Sequence, residues 1–173
     1  MKLPHPEIFK AYDIRGVVGQ SLTHEIVEQI GRAIGTEALN AGDSAVVVGR
    51  DGRISGPGIA SAWMDGIGAV GCNTVDIGMV PTPFTYFATH ELGIGSAVSV
   101  TGSHNPPDYN GLKVMIGTHT LAAERIQALR ERIVAQDFSK GTGQRQSHDI
   151  VPAYIDRVVG DIKLDRPLRI VTD

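Results

Sequence analysis

The stretch AVVVGRDGR, residues 45–53, decides the fold. Four small and β-branched apolar residues, Ala45 to Val48, form the kind of short run that is buried on both faces in a parallel sheet. Glycines and charged residues then cut it off. Upstream, residues 23–40 place Ile26, Ile30, Ala33, Ile34 and Ala38 on one helical face, with Thr23 as the N-cap and Gly42 as the stop. Downstream, a second helix is expected over 57–70, ending near Gly71. It is followed by a strand at NTVDIG (73–78) and a break at PTP (81–83). Helix, strand, helix, strand in alternation predicts a layered α/β domain with a mixed, largely parallel sheet.

The pattern continues. Residues 84–92 read as a shorter helix and GSAVSVTG (95–102) as another buried strand, with NGLKVMI (110–116) returning from a turn-rich knot. Ala122, Ile126, Leu129 and Ile133 then mark a further helix. SKGTGQRQSHD (139–149) reads as a polar loop or boundary. Beyond it VPAYIDRVVGDI reads as a helix and RPLRIVTD as a strand, the opening of a second structural unit. The expected division is residues 1–150 as a first domain and 151–173 as the truncated start of a second.

Composition narrows the function classes. With 173 residues, 42% hydrophobic and 20% charged, the chain suits one ordinary folded domain. Its net charge of −3 carries no broad basic field, so neither nucleic acid nor anionic membrane is an expected partner. Cys72 is the only cysteine and reads as a small core filler, which excludes an intramolecular disulfide. MKLPHPEIFK lacks a signal peptide's apolar run, and no stretch approaches the ~18 apolar residues of a membrane helix, so a cytoplasmic location is expected.

Functional loops of such folds leave the carboxyl ends of strands, and two fit that rule: GRDGR after 45–48, and TGSHNPPDYNGLK (101–113). The knot sets the Ser103 hydroxyl at a strand end among backbone N–H groups able to cradle an anion, with Lys113 returning ten residues later. The string lacks the second glycine of a hydrolase elbow, and His104, as an immediate neighbour, is poorly placed to be the serine's base. Arg15, in AYDIRG, reads either as a structural ion-pair residue or as a bidentate phosphate ligand. For Arg50 and Arg53 the structural role is favoured, with Asp13 and Asp51 orienting the arginines. GIGAVG (66–71) matches a dinucleotide fingerprint in form only. It closes a helix and precedes a strand, so its small residues are read as helix packing. The six histidines show no zinc-ligand spacing.

FKAYDIRG (9–16), VGRDGRISGP (48–57), DIGMVPTP (76–83) and TGSHNPPDYNGLK together closely resemble the α-D-phosphohexomutases, in particular the phosphomannomutase/phosphoglucomutase branch. The resemblance implies a four-domain enzyme whose first domain this chain matches. Its implied reaction interconverts hexose 1-phosphate and 6-phosphate through a phosphoserine and a 1,6-bisphosphate. It makes Ser103 the phosphoryl carrier, with His104 and Asn105 as supporting neighbours. Lys113 and Arg15 assist proton transfer and steady the transferring group, and Tyr12 lies in the same active-site strip. Tyr12, Arg15, Asn105 and Lys113 are the implied contacts to mannose or glucose phosphates. Mg²⁺ is expected on a phosphate oxygen of Ser103 together with aspartates of a D-x-D-x-D-R string, which this sequence lacks. The chain by itself is expected to be inactive. The alternatives are a phosphoglucosamine mutase of the same superfamily and a noncatalytic anion-binding or folding module. The full-length enzyme is expected to be a monomer. The piece is expected to be able to self-associate through Tyr154, Ile155, Val158 and Val159.

Overall fold

A computed structural model describes residues 3–172. Met1 and Lys2 of the opening segment, and Asp173 at the end of the last expected strand, lie outside them. In chain order the elements are a 3-10 turn (Pro6–Ile8), β1 (Ile14–Val17), α1 (His24–Asn40), β2 (Ala45–Arg50), α2 (Gly56–Gly68), β3 (Asn73–Met79), α3 (Thr82–Glu91), β4 (Ser96–Val100), β5 (Tyr109–Ile116), β6 (His119–Thr120), α4 (Glu124–Ala135), β7 (Arg145–Ser147) and α5 (Val151–Asp161). The sheet order is β1-β5-β4-β2-β3-β7, with β6 on β5. It is parallel from β4 through β2 and β3 to β7, and antiparallel where β5 meets β4 and β1. The mixed α/β sandwich read from the sequence is the observed fold.

Local chemistry sets the boundaries. Thr23 caps α1 by accepting the Ile26 N–H, and Gly42 ends the helix at φ +89°. The PTP segment is not a break: Thr82 opens α3 and Pro83 sits in its first turn, where no N–H is needed. On one face of the sheet α1, α2 and α4 bury a large core around Trp63, Ile30, Ile34, Ile67 and Ile126. On the other, a smaller core of Val47, Ile77, Val80, Ala88, Ala97 and Ile150 lies under α3. Tyr154 of α5 stacks on Phe84 of α3 with ring centroids 3.8 Å apart, while Ile155, Val158 and Val159 of the same helix are exposed.

Two sequence expectations are corrected. Within the 139–149 segment, Arg145–Ser147 form β7, an edge strand paired parallel to Thr74–Asp76. Its side chains are all exposed, so no apolar pattern announces it. Conversely, residues 162–172 contain no strand. Among the described residues no neighbouring strand offers that apolar run a ladder to join.

GIGAVG packs as its position predicts. A Cβ on Gly66 would lie 2.0 Å from the Glu28 carbonyl oxygen, and one on Gly31 would lie 2.3 Å from that of Trp63. These glycines let α1 and α2 cross backbone to backbone.

Candidate functional site

Topology places the site. After β2 the chain runs through α2 on one face to β3, then through α3 on the other face to β4, which lies on the opposite side of β2. The switch point of the sheet therefore falls between β2 and β4, where ligand crevices of open α/β sheets form. Arg50 and Val100, the last residues of the two strands, are register partners. The 51–55 and 101–109 loops consequently leave the sheet side by side.

The first loop grips the second. Asp51 accepts the Arg53 N–H at one oxygen and the Gly102 N–H at the other, both at 3.0 Å. The Arg53 guanidinium donates to four carbonyls of the serine loop: Ser103 at 3.1 Å, Asn105 at 2.6 Å, Pro106 at 2.6 Å and Tyr109 at 3.1 Å. It lies against Gly102 so closely that a Cβ there would approach Nε to 2.1 Å. Below the loop, Asn110 is fully buried, donates to Ser55 Oγ at 2.9 Å and accepts from the Gly111 N–H at 2.8 Å. This agrees with the structural role favoured for Arg53. The Arg50 side chain, by contrast, has no ion pair or hydrogen bond among the described residues.

Held in this way, the loop displays Ser103 and His104 to solvent. Ser103 adopts φ +51°, a left-handed conformation that a residue with a Cβ occupies only at a cost of order 1 kcal/mol. The expected cradle of turn amides is largely committed to the loop itself. The Gly102 N–H goes to Asp51, that of Ser103 to Thr101 Oγ1, and that of Asn105 to the Gly102 carbonyl. Next to Ser103, only the His104 amide lacks a partner among the described residues.

The cationic groups come from the sheet. Arg15 on β1 pairs with Gly111 on β5, and Lys113, two residues further on, pairs with Ser99 on β4. Alternation in β5 places Arg15 and Lys113 on the same sheet face, the face that carries α3, as diagonal neighbours roughly 7–8 Å apart in backbone position. Gly111 lets the strands close here, since a Cβ would come within 2.6 Å of the Ile14 carbonyl oxygen. Arg15 is ion-paired to Asp13 and reaches the Gly102 carbonyl at 3.5 Å, while its Nε is buried without a partner. Lys113 is half-buried with no ion pair among the described residues. Asn105 donates to the Gly102 carbonyl at 3.1 Å. It also helps line a cleft of about 380 Å³ with His5, Lys10, Arg15 and Tyr109, and a second hollow beside Arg53 and Ile54.

Arg15, Asn105 and the serine loop are thus brought into contact, and Lys113 shares their sheet face. Tyr12 is 76% exposed in the turn before β1 and makes no hydrogen bond with them. The sequence anticipates the pairing of Asp51 with Arg53 but not the grip of Arg53 on the serine loop. Its only signal was the pairing of two turn-rich loops, each following a buried strand. Among the described residues no three His, Cys, Asp or Glu side chains gather as metal ligands. Asp13 and Asp51 are each committed to an arginine, Arg15 and Arg53.

Fold and site together define a doubly wound α/β/α domain with its site at the sheet's switch point, built around a serine-tipped loop. Residues 6–140 match the family model described as phosphoglucomutase/phosphomannomutase, alpha/beta/alpha domain I. The phosphomannomutase/phosphoglucomutase of Pseudomonas aeruginosa is 51% identical over 166 residues, covering 96% of this chain and 36% of that protein. The phosphoglucomutase of Neisseria gonorrhoeae is 46% identical over 170 residues, covering 96% and 37%. A crystal structure of a phosphoglucomutase/phosphomannomutase family protein from Burkholderia thailandensis superposes with a TM-score of 0.92 at 47% identity, covering 96% of this chain and 38% of that one. The chain belongs to the phosphoglucomutase/phosphomannomutase family, and its residues 6–140 correspond to the family's domain I. It spans little more than a third of the length of these relatives. Among the described residues no helix is long and apolar enough to cross a membrane.

Proposed function

We propose that this chain supplies the phosphoryl-carrying domain of a phosphohexomutase acting on mannose and glucose phosphates in the cytoplasm. The observation that carries the reading is Ser103, exposed at φ +51° on a loop clamped from beneath, with Arg15 and Lys113 on the adjoining sheet face. In the forward half-reaction a sugar hydroxyl attacks phosphorus on phosphoserine 103. The new P–O bond forms, the bond to Ser103 Oγ breaks, and the hydroxyl proton ends on Oγ. The bisphosphate then presents its other phosphate, and Ser103 Oγ attacks it in return. In such transfers the protein chiefly positions groups and balances charge. Arg15 steadies the equatorial oxygens, Lys113 assists the proton, and Asn105 and Tyr12 contact substrate. His104 supports the loop tip.

Mg²⁺ would add positive charge at the transferring group. This chain's own residues fit at most one ligand to it, an oxygen of phosphorylated Ser103. Phosphate monoesters are so inert that catalysis can demand rate factors approaching ~10²¹. Isolated residues 1–173 are therefore expected to turn over no hexose phosphate. The test uses the full-length protein. Intact mass should show about 80 Da of phosphoryl, mapping to Ser103, and Ser103→Ala should abolish both the added mass and hexose-phosphate conversion. Wild-type conversion that survives loss of the Ser103 hydroxyl would refute the reading.

A further inference from the structure

The loop's hydrogen bonds contain one more instruction. Every peptide bond among the described residues is trans, and in a planar trans peptide the carbonyl and the N–H that follows it point in opposite directions. Arg53 holds the Ser103 carbonyl at 3.1 Å, so the His104 N–H of the same peptide is turned away from the guanidinium. Arg53's other three acceptors fix no amide beside Ser103. Asn105 and Pro106 are each followed by a proline, which has no N–H, and Tyr109 is already the first residue of β5. The amides of Gly102, Ser103 and Asn105 are spent within the loops. Of the backbone N–H groups at 102–105, only that of His104 is left uncommitted among the described residues, and its direction is set by one arginine.

We propose that the His104 backbone N–H is the amide donor to the phosphoryl group on Ser103, and that Arg53 is the positioning residue that aims it. The proposal rests on Ser103 being the phosphoryl carrier. A planar fork is needed for the task, because the guanidinium meets four carbonyls and the Asp51 carboxylate, 3.6 Å away, in one plane of donors. Lysine keeps the charge but cannot span that set. Once the Ser103 carbonyl is released, the 103–104 peptide is free to rotate.

The test compares full-length wild type with Arg53→Lys and Arg53→Ala. Arg132→Ala serves as a comparator, because Arg132 is another multiply bonded arginine, tied to Glu37 and Asp137 away from the serine loop. Misplacing or removing one such donor costs about 10²- to 10³-fold in turnover. Arg53→Lys should therefore lower kcat by that factor with KM within about twofold. The ³¹P resonance of phosphoserine 103 should shift or broaden, and added guanidinium should restore part of the rate to Arg53→Ala. Arg132→Ala should lower the melting temperature while kcat stays within about twofold. Wild-type kcat and an unchanged ³¹P signal in Arg53→Lys would overturn the proposal. So would a loss of kcat in Arg132→Ala that matches Arg53→Lys at equal loss of stability, which would make Arg53 merely structural. If Arg53→Ala does not fold, the lysine variant alone decides. Wild type that never carries phosphoryl on Ser103 would remove the underlying mutase reading, and this inference with it, before any variant is compared.

Discussion

Replacing Gly66 by alanine tests whether GIGAVG is a packing device. The added Cβ would sit 2.0 Å from the Glu28 carbonyl oxygen, 2.9 Å from its carbon and 3.0 Å from the Arg32 nitrogen. Ordinary contact begins near 3.4 Å, so the nearest pair is short by about 1.4 Å. All three atoms are backbone of α1, and no side chain can swing aside. The helices must separate, loosening the interface that buries Trp63, Ile30, Ile34 and Ile67. Overpacking of this kind costs about 3 kcal/mol or somewhat more, and alanine's better helix propensity returns about 1. A net loss of roughly 2 kcal/mol corresponds to a fall of about 4–8 °C in Tm for a chain of this size. Gly31→Ala wedges the same crossing from the other side, against the Trp63 carbonyl at 2.3 Å. One separation relieves both clashes, so the double variant should lose less than the sum of the two. Gly160→Ala in α5 meets nothing within 4 Å and should stabilise by a few tenths to 1 kcal/mol. Thermal melts followed by circular dichroism read all four proteins. A Gly66→Ala variant that melts with or above Gly160→Ala would refute the packing argument, and a Tm rise on adding NAD or ATP would reopen the nucleotide reading.

Three further outcomes follow from the site and the core. Ser103→Gly should raise stability by about 1 kcal/mol, since glycine adopts φ +51° freely, while abolishing phosphoryl incorporation; Ser103→Ala should abolish incorporation with no such gain, as paired melts and intact masses would show. Lys113→Met in the full-length enzyme should cut kcat by about 10²-fold or more, with Tm unchanged or slightly raised because a partly desolvated cation is removed and no ion pair is lost, measured by coupled hexose-phosphate assay and calorimetry. Burial, and secondarily Asp43, push the Cys72 thiol from 9.0 up to about 11. Below pH 9 the thiol is protonated in both states. Between 9 and 11 the unfolded chain releases its proton first, so denaturant melts should show a stability loss across that window that Cys72→Ala lacks.

What was legible in the sequence follows the range of the interactions involved. The spacing of Ile26, Ile30, Ala33 and Ile34 and the run Val46–Val48 carry their burial in local pattern, so the helices, the central strands and their order of types could be read directly. β7 could not. Arg145, Gln146 and Ser147 are exposed and polar, and they become a strand only because glycines let the segment lie against α2 and β3: a Cβ on Gly143 would come within 1.9 Å of the Cys72 carbonyl oxygen. The grip of Arg53 was hidden for the same reason, since its four acceptors lie 50 to 56 residues away in sequence. Only the parallel register of β2 with β4 delivers them.

That distribution of charge bears on why the site should want a phosphoryl group at all. The arginines that hold structure are saturated: Arg53 by four carbonyls and Asp51, and Arg132 by Glu37 and Asp137. The cations on the proposed reacting face are not, since Lys113 has no ion pair among the described residues and the Arg15 Nε is buried without an acceptor. A partly desolvated cation and an unfilled donor each raise the free energy of the folded state. A phosphoserine at 103 would bring roughly −1.5 to −2 charge and three acceptor oxygens to that side. Under the proposed function the domain is therefore most comfortable with its serine loaded, and each release of phosphoryl to a sugar exposes an electrostatic deficit that favours recapture from the bisphosphate.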